Sequence, residues 1–501
     1  MIPAFPCPAL PASTAYILVC MLPFVTLTCT AHERRVHYAS LLEVAAKLRA
    51  RELTPVELTE TLLARIDQVD PVLRSYATVT ADVALAQARN AEAELAAGRY
   101  RGPLHGVPIA VKDLCFTAGI ATAAGTTIRS GYVPAYDATV VQRLSQAGAI
   151  LLGKLQLTEG AFAEHHPSVT PPRNPWNPDY WSGASSSGSG VAVAAGLAFG
   201  SLGTDTGGSI RYPSAANGLT GIKPTWGRVS RHGVFALAAS LDHVGPMARS
   251  AQDVAAILGA IAGADPYDPT AAGVPVPDYL AGLGAPIGPV RIGVDRAYNE
   301  TRVDQATIGM LDDVVAVLRR LGATIVEVTL PDTSTINAMW PRYAGVEAAI
   351  AHQATYPSRA SEYGPADTPG SIAGLITHGH TVSAIELMHA HHQRLAFTGG
   401  LARTLCDVDV LLAPVQPTTS LTLAQKEALY ADPEALTDFL RFVTPFNMAG
   451  APTITLPGGV GEDDMPLGFQ FAGRPFEEQL LIRLGHAYQR ETDWHLRHPA
   501  L

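Results

Sequence analysis

Lysine is scarce in this chain, found only at Lys47, Lys112, Lys154, Lys223 and Lys426, while arginine is used freely. Arginine can supply charge almost anywhere, but only lysine can plausibly lose its proton and serve as a base once burial lowers its pKa. Lys112 ends the apolar run Ile109-Ala-Val111, where burial would act on it. Further along, Trp181–Gly190 and Gly200–Pro213 form two loops of glycine and hydroxyl residues around an apolar segment that reaches Leu197. Ser209 follows Thr206, Gly207 and Gly208. Glycines there allow the backbone to approach a reacting centre, and successive inward N–H groups make a concavity for developing negative charge. The chemistry open to such a set is attack of a serine hydroxyl on a carbonyl, with a base to take its proton.

Histidine is the usual base for serine, and His243, in Ser240-Leu-Asp-His-Val-Gly-Pro246, is the best-placed imidazole. No G-x-S-x-G elbow and no S-x-x-K occurs, which argues against an α/β-hydrolase site and a penicillin-binding arrangement. A lone histidine is most simply a satisfied core group, and His243 and Arg228 are read as scaffold. Lys112 has a plain alternative role, an ion pair with the adjacent Asp113. Asp205 and Arg211 flank the Ser209 loop and are read as a buried ion pair that fixes it. Gly148–Leu155 approaches a phosphate-binding loop, but Leu155 replaces the hydroxyl that would hold magnesium, and its middle reads as a strand.

These residues need a scaffold, and the periodicity supplies one. Ser40 with Glu43 and Thr54-Pro55 with Glu57 are capping-box starts of two helices, and a third runs Ala81–Ala97 before Gly98. Strand Ile109–Val111, helix Ala138–Ala147 and strand Ala149–Leu152 follow. Then come Val290–Val294, helix Val303–Leu321, Thr324–Val328 and Val408–Ala413, with a proline-rich crossing loop over Asp265–Pro289. Such alternation predicts an α/β fold, one large sheet covered by helices on both faces. With 47% hydrophobic and 16% charged residues, a large core is available. A net charge of −10 without a basic cluster excludes a nucleic-acid partner. The five scattered cysteines show no metal or disulfide spacing and fit a reducing compartment. Residues 1–37 read as an N-terminal extension or a signal segment, with an apolar run Ala15–Ala31 broken by Pro23 and no Lys or Arg before Arg34. The run is short for a membrane span, so no stable membrane association is expected. An untargeted extension implies a cytoplasmic protein, and a cleaved signal an exported one. A mean hydropathy of +0.15 permits a homodimer face without requiring it.

Several long blocks, in order, resemble the amidase signature family: Gly106-Val-Pro-Ile-Ala-Val-Lys-Asp113, the block from Ser182, Gly203-Thr-Asp-Thr-Gly-Gly-Ser-Ile-Arg211, Gly221–Ser230, Ser240–Met247, Pro445–Thr453 and Pro466–Gln470. The likeness covers about residues 38–495, and residues 38–501 are read as one domain. It implies a central mixed sheet between helices, and a Ser–Ser–Lys triad with Lys112 as base and Ser209 as nucleophile. It also implies a bridging serine, after a cis peptide bond, 24 residues before the nucleophile at Ser185. Ala184 and Ser187 depart from the family's glycines, which leaves Ser186 as an alternative bridge. The implied activity is hydrolysis of a small-molecule carboxamide through an acyl-enzyme, with Thr206, Gly207, Gly208 and Ser209 N–H groups holding the oxyanion and no metal or cofactor. Two other activities use the same triad: that of the glutamine-hydrolysing component of a tRNA-dependent amidotransferase, and that of a carbamate hydrolase. Phe162, Trp176, Tyr180 and Trp181 lie near the loops and suggest an apolar pocket for the acyl or aryl group.

Overall fold

A computed structural model describes residues 33–501; of the segment 1–37 read as extension or signal, residues 1–32 lie outside the described residues. Among the described residues eleven strands form one sheet: β1 Tyr76–Val79, β2 Pro108–Lys112, β3 Ile150–Leu155, β4 Gly200–Asp205, β5 Thr220–Lys223, β6 His243–Ala248, β7 Arg291–Val294, β8 Thr324–Glu327, β9 Val410–Pro414, β10 Thr453–Val460 and β11 Pro466–Gly473. Their order is β1-β3-β2-β4-β6-β5-β10-β11-β9-β7-β8. Pairs β2–β3, β2–β4, β7–β8 and β7–β9 are parallel and the others antiparallel, so the α/β fold is mixed. Every residue of β2, β4, β5, β6, β9 and β11 is buried. Side chains alternate between the faces of a strand, so burial at every position requires cover on both faces.

Both expected capping boxes are present. Ser40 and Thr54 accept from the N–H groups of Glu43 and Glu57 at 3.1 Å each, and those carboxylates accept in return from the cap N–H groups. The helices they start run Leu41–Ala50 and Pro55–Leu73. Regions expected as strand or helix around residues 109, 150, 291, 305, 324 and 410 take those forms, and no helix or strand lies between Ile261 and Arg291. The near phosphate-binding loop is strand β3. Strands β4, β5, β6, β10 and β11, the antiparallel centre, were not expected. Glycine, proline and small polar residues interrupt their sequences, as in Gly200-Ser-Leu-Gly-Thr-Asp205 and Thr453-Ile-Thr-Leu-Pro-Gly-Gly-Val460, and so break up the β-branched signal. The apolar segment between the two hydroxyl-rich loops is helix Ser187–Ala194, buried at every position. A helix without a polar face belongs inside a core, and this one brings its N-terminal serines to the end of β2. Among the described residues no helix is long and apolar enough to cross a membrane.

Candidate active site

The carboxyl end of β2 delivers Lys112 into a group of hydroxyls. Its Nζ lies 2.7 Å from Ser185 Oγ, 2.8 Å from Ser186 Oγ and 2.9 Å from Thr204 Oγ1. The serines precede the buried helix, and Thr204 comes from β4, the strand beside β2. Lys112, Ser185 and Ser186 are fully buried. Burial holds the Lys112 ammonium down to about 7, against a smaller opposing pull from Cys115, Asp242 and Asp205. The expected alternative, a Lys112–Asp113 pair, is not formed. Successive residues of an extended chain diverge to opposite faces, and the Asp113 carboxylate meets Lys154 at 3.3 Å instead. The peptide bond between Ala184 and Ser185 is cis. Ser186 also reaches Lys112, but it is tied to β4 as well: its hydroxyl donates to Thr204 O (3.2 Å) and accepts from Thr204 N–H (3.3 Å).

Downstream of β4, the Ser209 loop is organised by Asp205. This buried carboxylate receives Arg211 Nε at 3.0 Å and Nη2 at 2.9 Å, the Ile210 N–H at 3.0 Å and the Asn447 amide at 2.8 Å. Arg211, also fully buried, extends to Val443 O at 2.9 Å. The pair is structural, as expected. Asp205 further accepts the Gly208 N–H at 2.8 Å. The Gly208 N–H, expected to face an oxyanion, is thus engaged by the loop's own carboxylate. Glycine is required at two positions of this loop. Gly208 has φ +117°, and a Cβ there would sit 2.5 Å from the Tyr212 ring; a Cβ on Gly207 would sit 2.8 Å from Trp340. Trp340 Nε1 donates to Thr206 O at 2.8 Å, and Thr206 Oγ1 donates to Asp242 at 2.6 Å. His243 Nδ1 faces Leu241 O at 2.7 Å and Asp205 O at 3.1 Å. Burial suppresses its protonation. Arg228 donates to Glu478 and to the carbonyls of Val274 and Pro275. Both are scaffold.

Ser209 is half-buried and opens into a cavity of about 280 Å³, whose walls include Phe162, Trp181, Tyr212, Trp340 and Phe439. Tyr212 and Phe439 stack at 4.9 Å, and Phe162 and Trp340 at 6.2 Å. Among the described residues no charged side chain lines it. Two of the four expected aromatics are therefore in the wall and two are elsewhere: Trp176 donates to Asn217 O (3.0 Å), and Tyr180 reaches Asp463 (2.9 Å). Sequence reasoning missed four aromatics of the wall: Tyr212, Tyr430, and Trp340 and Phe439, the last two from helices Thr333–Ala351 and Pro433–Leu440, far from the loops in the chain. Their only signal was the large apolar side chain itself.

Known proteins resemble this chain along most of its length. The family model described as Amidase matches residues 57–482. "Putative amidase AmiD" of Mycobacterium tuberculosis is 50% identical over 459 residues, 92% of this chain and 95% of that protein. A glutamyl-tRNA(Gln) amidotransferase component from Chloroflexus aurantiacus is 38% identical over 485 residues, covering 93% of this chain and 99% of that one. The crystal structure of native peptide amidase from Stenotrophomonas maltophilia superposes with a TM-score of 0.78 at 30% identity, covering 92% of this chain and 98% of that one. On this match in sequence and architecture, the chain belongs to the amidase family and is an amide-hydrolysing enzyme.

Proposed function

We propose that the chain is a serine hydrolase that cleaves the C–N bond of a carboxamide with an apolar acyl or aryl group, using Ser209 as nucleophile, Ser185 as bridge and Lys112 as base. The observation that carries this reading is the company Lys112 keeps: a buried amine facing three hydroxyls, with its neighbouring carboxylate, Asp113, turned to another lysine. A neutral amine has two N–H donors and one lone pair, so among three hydroxyls it can donate to two and accept from the third. Accepting from Ser185 makes Ser185 a better acceptor for the Ser209 proton. The Ser209 oxygen then attacks the carbonyl carbon, and N–H groups of the Thr206–Ser209 loop hold the resulting oxyanion. The proton returns through Ser185 to the leaving nitrogen, the C–N bond breaks, and an ester remains on Ser209. Water, deprotonated by the same relay, cleaves that ester and restores the serine.

Glutamine hydrolysis is the second reading, favoured by the 38% identity to an amidotransferase component. Free glutamine carries an ammonium and a carboxylate, and the cavity wall offers neither of them a countercharge. An uncharged acyl or aryl group matches it better. Carbamate hydrolysis would use the same acylation step and differs only in the acyl group transferred. The test is intact mass and peptide mapping after exposure to a fluorophosphonate, followed by turnover of anilides, carbamates and glutamine. A single adduct on Ser209, lost in Ser209→Ala, with release of amine from anilides, is expected. An adduct on another serine refutes the assignment, and co-purification with a second and third chain favours the amidotransferase reading, whereas glutamine turnover without partners does not.

A further inference from the structure

The apolar cavity adjoins a second space of different chemistry. Asn337 and Thr437 line the first cavity and also a second of about 390 Å³. Across that boundary the wall becomes ionic, with Arg302, Asp332, Glu434, Asp438 and Arg441. Arg302 and Arg441 share one oxygen of Asp438, at 2.7 and 2.6 Å, so a single carboxylate faces two guanidiniums. The other two acids are offset locally. Both oxygens of Asp332 accept from the N–H and hydroxyl groups of Ser334 and Thr335 at the N-cap of helix Thr333–Ala351. Glu434 lies in the first turn of helix Pro433–Leu440. Helix N-termini carry partial positive charge that counters a carboxylate placed there. Arg441 is buried and also holds the Thr301 and Tyr298 carbonyls. Arg302 differs: its side chain is 64% exposed, and Asp438 engages one end of its guanidinium. A planar group with five N–H donors keeps others for an incoming anion.

Size decides what can reach it. At roughly 30 Å³ for a water-sized group, the first cavity holds roughly nine heavy atoms, and a longer acyl group directed past Asn337 and Thr437, which line both spaces, meets the ionic wall. We propose that the second cavity is a subsite for a carboxylate at the far end of an elongated acyl group, with Arg302 as its partner. This rests on the hydrolase reading above and names its substrate class: amides whose apolar acyl segment ends in an acid.

The experiment compares kcat/KM for two series of acyl 4-nitroanilides, one ending in a carboxylate and the other in its methyl ester, with lengths spanning the roughly nine heavy atoms of the first cavity. Beyond that length the acids are expected to exceed the esters by about fivefold, the upper end for a partly exposed ion pair. That ratio should contract as ionic strength rises from about 0.05 to about 0.5 M, and fall to about one in Arg302→Gln. Esters equal to or better than acids at every length would overturn the inference, as would a preference that survives Arg302→Gln or ignores salt. Hydrolysis of the series with no acid preference among the long members overturns this inference alone. Hydrolysis of no member removes the hydrolase reading and this inference with it.

Discussion

Lys112 and Lys154 sit on adjacent parallel strands, β2 and β3, and neither exposes any of its side chain. Their partners separate them. Lys154 meets the Asp113 carboxylate at 3.3 Å, the Cys115 carbonyl at 2.7 Å and the Thr122 hydroxyl at 2.7 Å. Lys112 meets three hydroxyls. Burial lowers the pKa of both, but a carboxylate opposes it at Lys154, while at Lys112 burial brings the value to about 7. Two lysines a strand apart thus have different surroundings: one ties a carboxylate, a carbonyl and a hydroxyl together, and the other faces hydroxyls, with burial bringing it to about 7. Lys223 adds a third case, buried and bound to the Ala451 carbonyl. Its protonation is suppressed too, but its bonded partner is backbone, not a nucleophile's hydroxyl. Burial is common to all three lysines; under the proposed relay, what sets Lys112 apart is the hydroxyls it faces.

The contrast breaks most sharply at Lys112→Arg. The charge is kept but the base is lost, so kcat should fall by about 10³-fold or more with the circular-dichroism spectrum unchanged. Turnover near the wild-type rate would make the two lysines equivalent and end the comparison. Ser185→Ala should slow acylation by about 10²- to 10⁴-fold, seen as a reduced burst of 4-nitroaniline, while Ser186→Ala should cost about tenfold or less. Equal effects would move the bridge to Ser186. Asp113→Asn tests the other lysine. It leaves Lys154 buried without its carboxylate and should destabilise the fold by roughly 3 kcal/mol in urea titration, with kcat per folded molecule close to wild type. A loss of kcat without a loss of stability would instead place Asp113 in the reaction. Acidity acts on the same contrast without a substitution. Lys112 must be neutral to accept a proton, so kcat/KM should rise about tenfold per pH unit below about 7 and level off above it. A profile flat from pH 5 to pH 8, on the order of a thousandfold change in proton activity, would mean that another group is the base.

Much of this site was legible because its chemistry is local in sequence. An apolar strand ending in Lys112, a glycine-rich loop ending in Ser209 and a serine block before an apolar helix each declare themselves within about ten residues. The Asp205–Arg211 pair is local too, six residues apart. Legibility failed where contacts are long-range or the backbone decides. Trp176 and Tyr180 are near the loops in the chain, yet hydrogen bonds to Asn217 and Asp463 draw them away from the cavity. Trp340 and Phe439 complete the wall from more distant helices whose docking no periodicity reports. The engagement of the Gly208 N–H by Asp205 depends on a loop geometry that composition does not encode. The antiparallel centre of the sheet went unread for a related reason. Its strands are held by neighbours on both sides and both faces, so they tolerate glycine and proline that would weaken an isolated strand.

The most direct test of a neutral, buried Lys112 acting on Ser209 is the pH dependence of fluorophosphonate labelling at Ser209, followed as a second-order rate constant by intact mass. The rate should climb about tenfold per pH unit to a plateau above about 7, and in Ser185→Ala it should be severely reduced at every pH. A labelling rate at Ser209 that does not change with pH, or that Ser185→Ala leaves untouched, would contradict the relay.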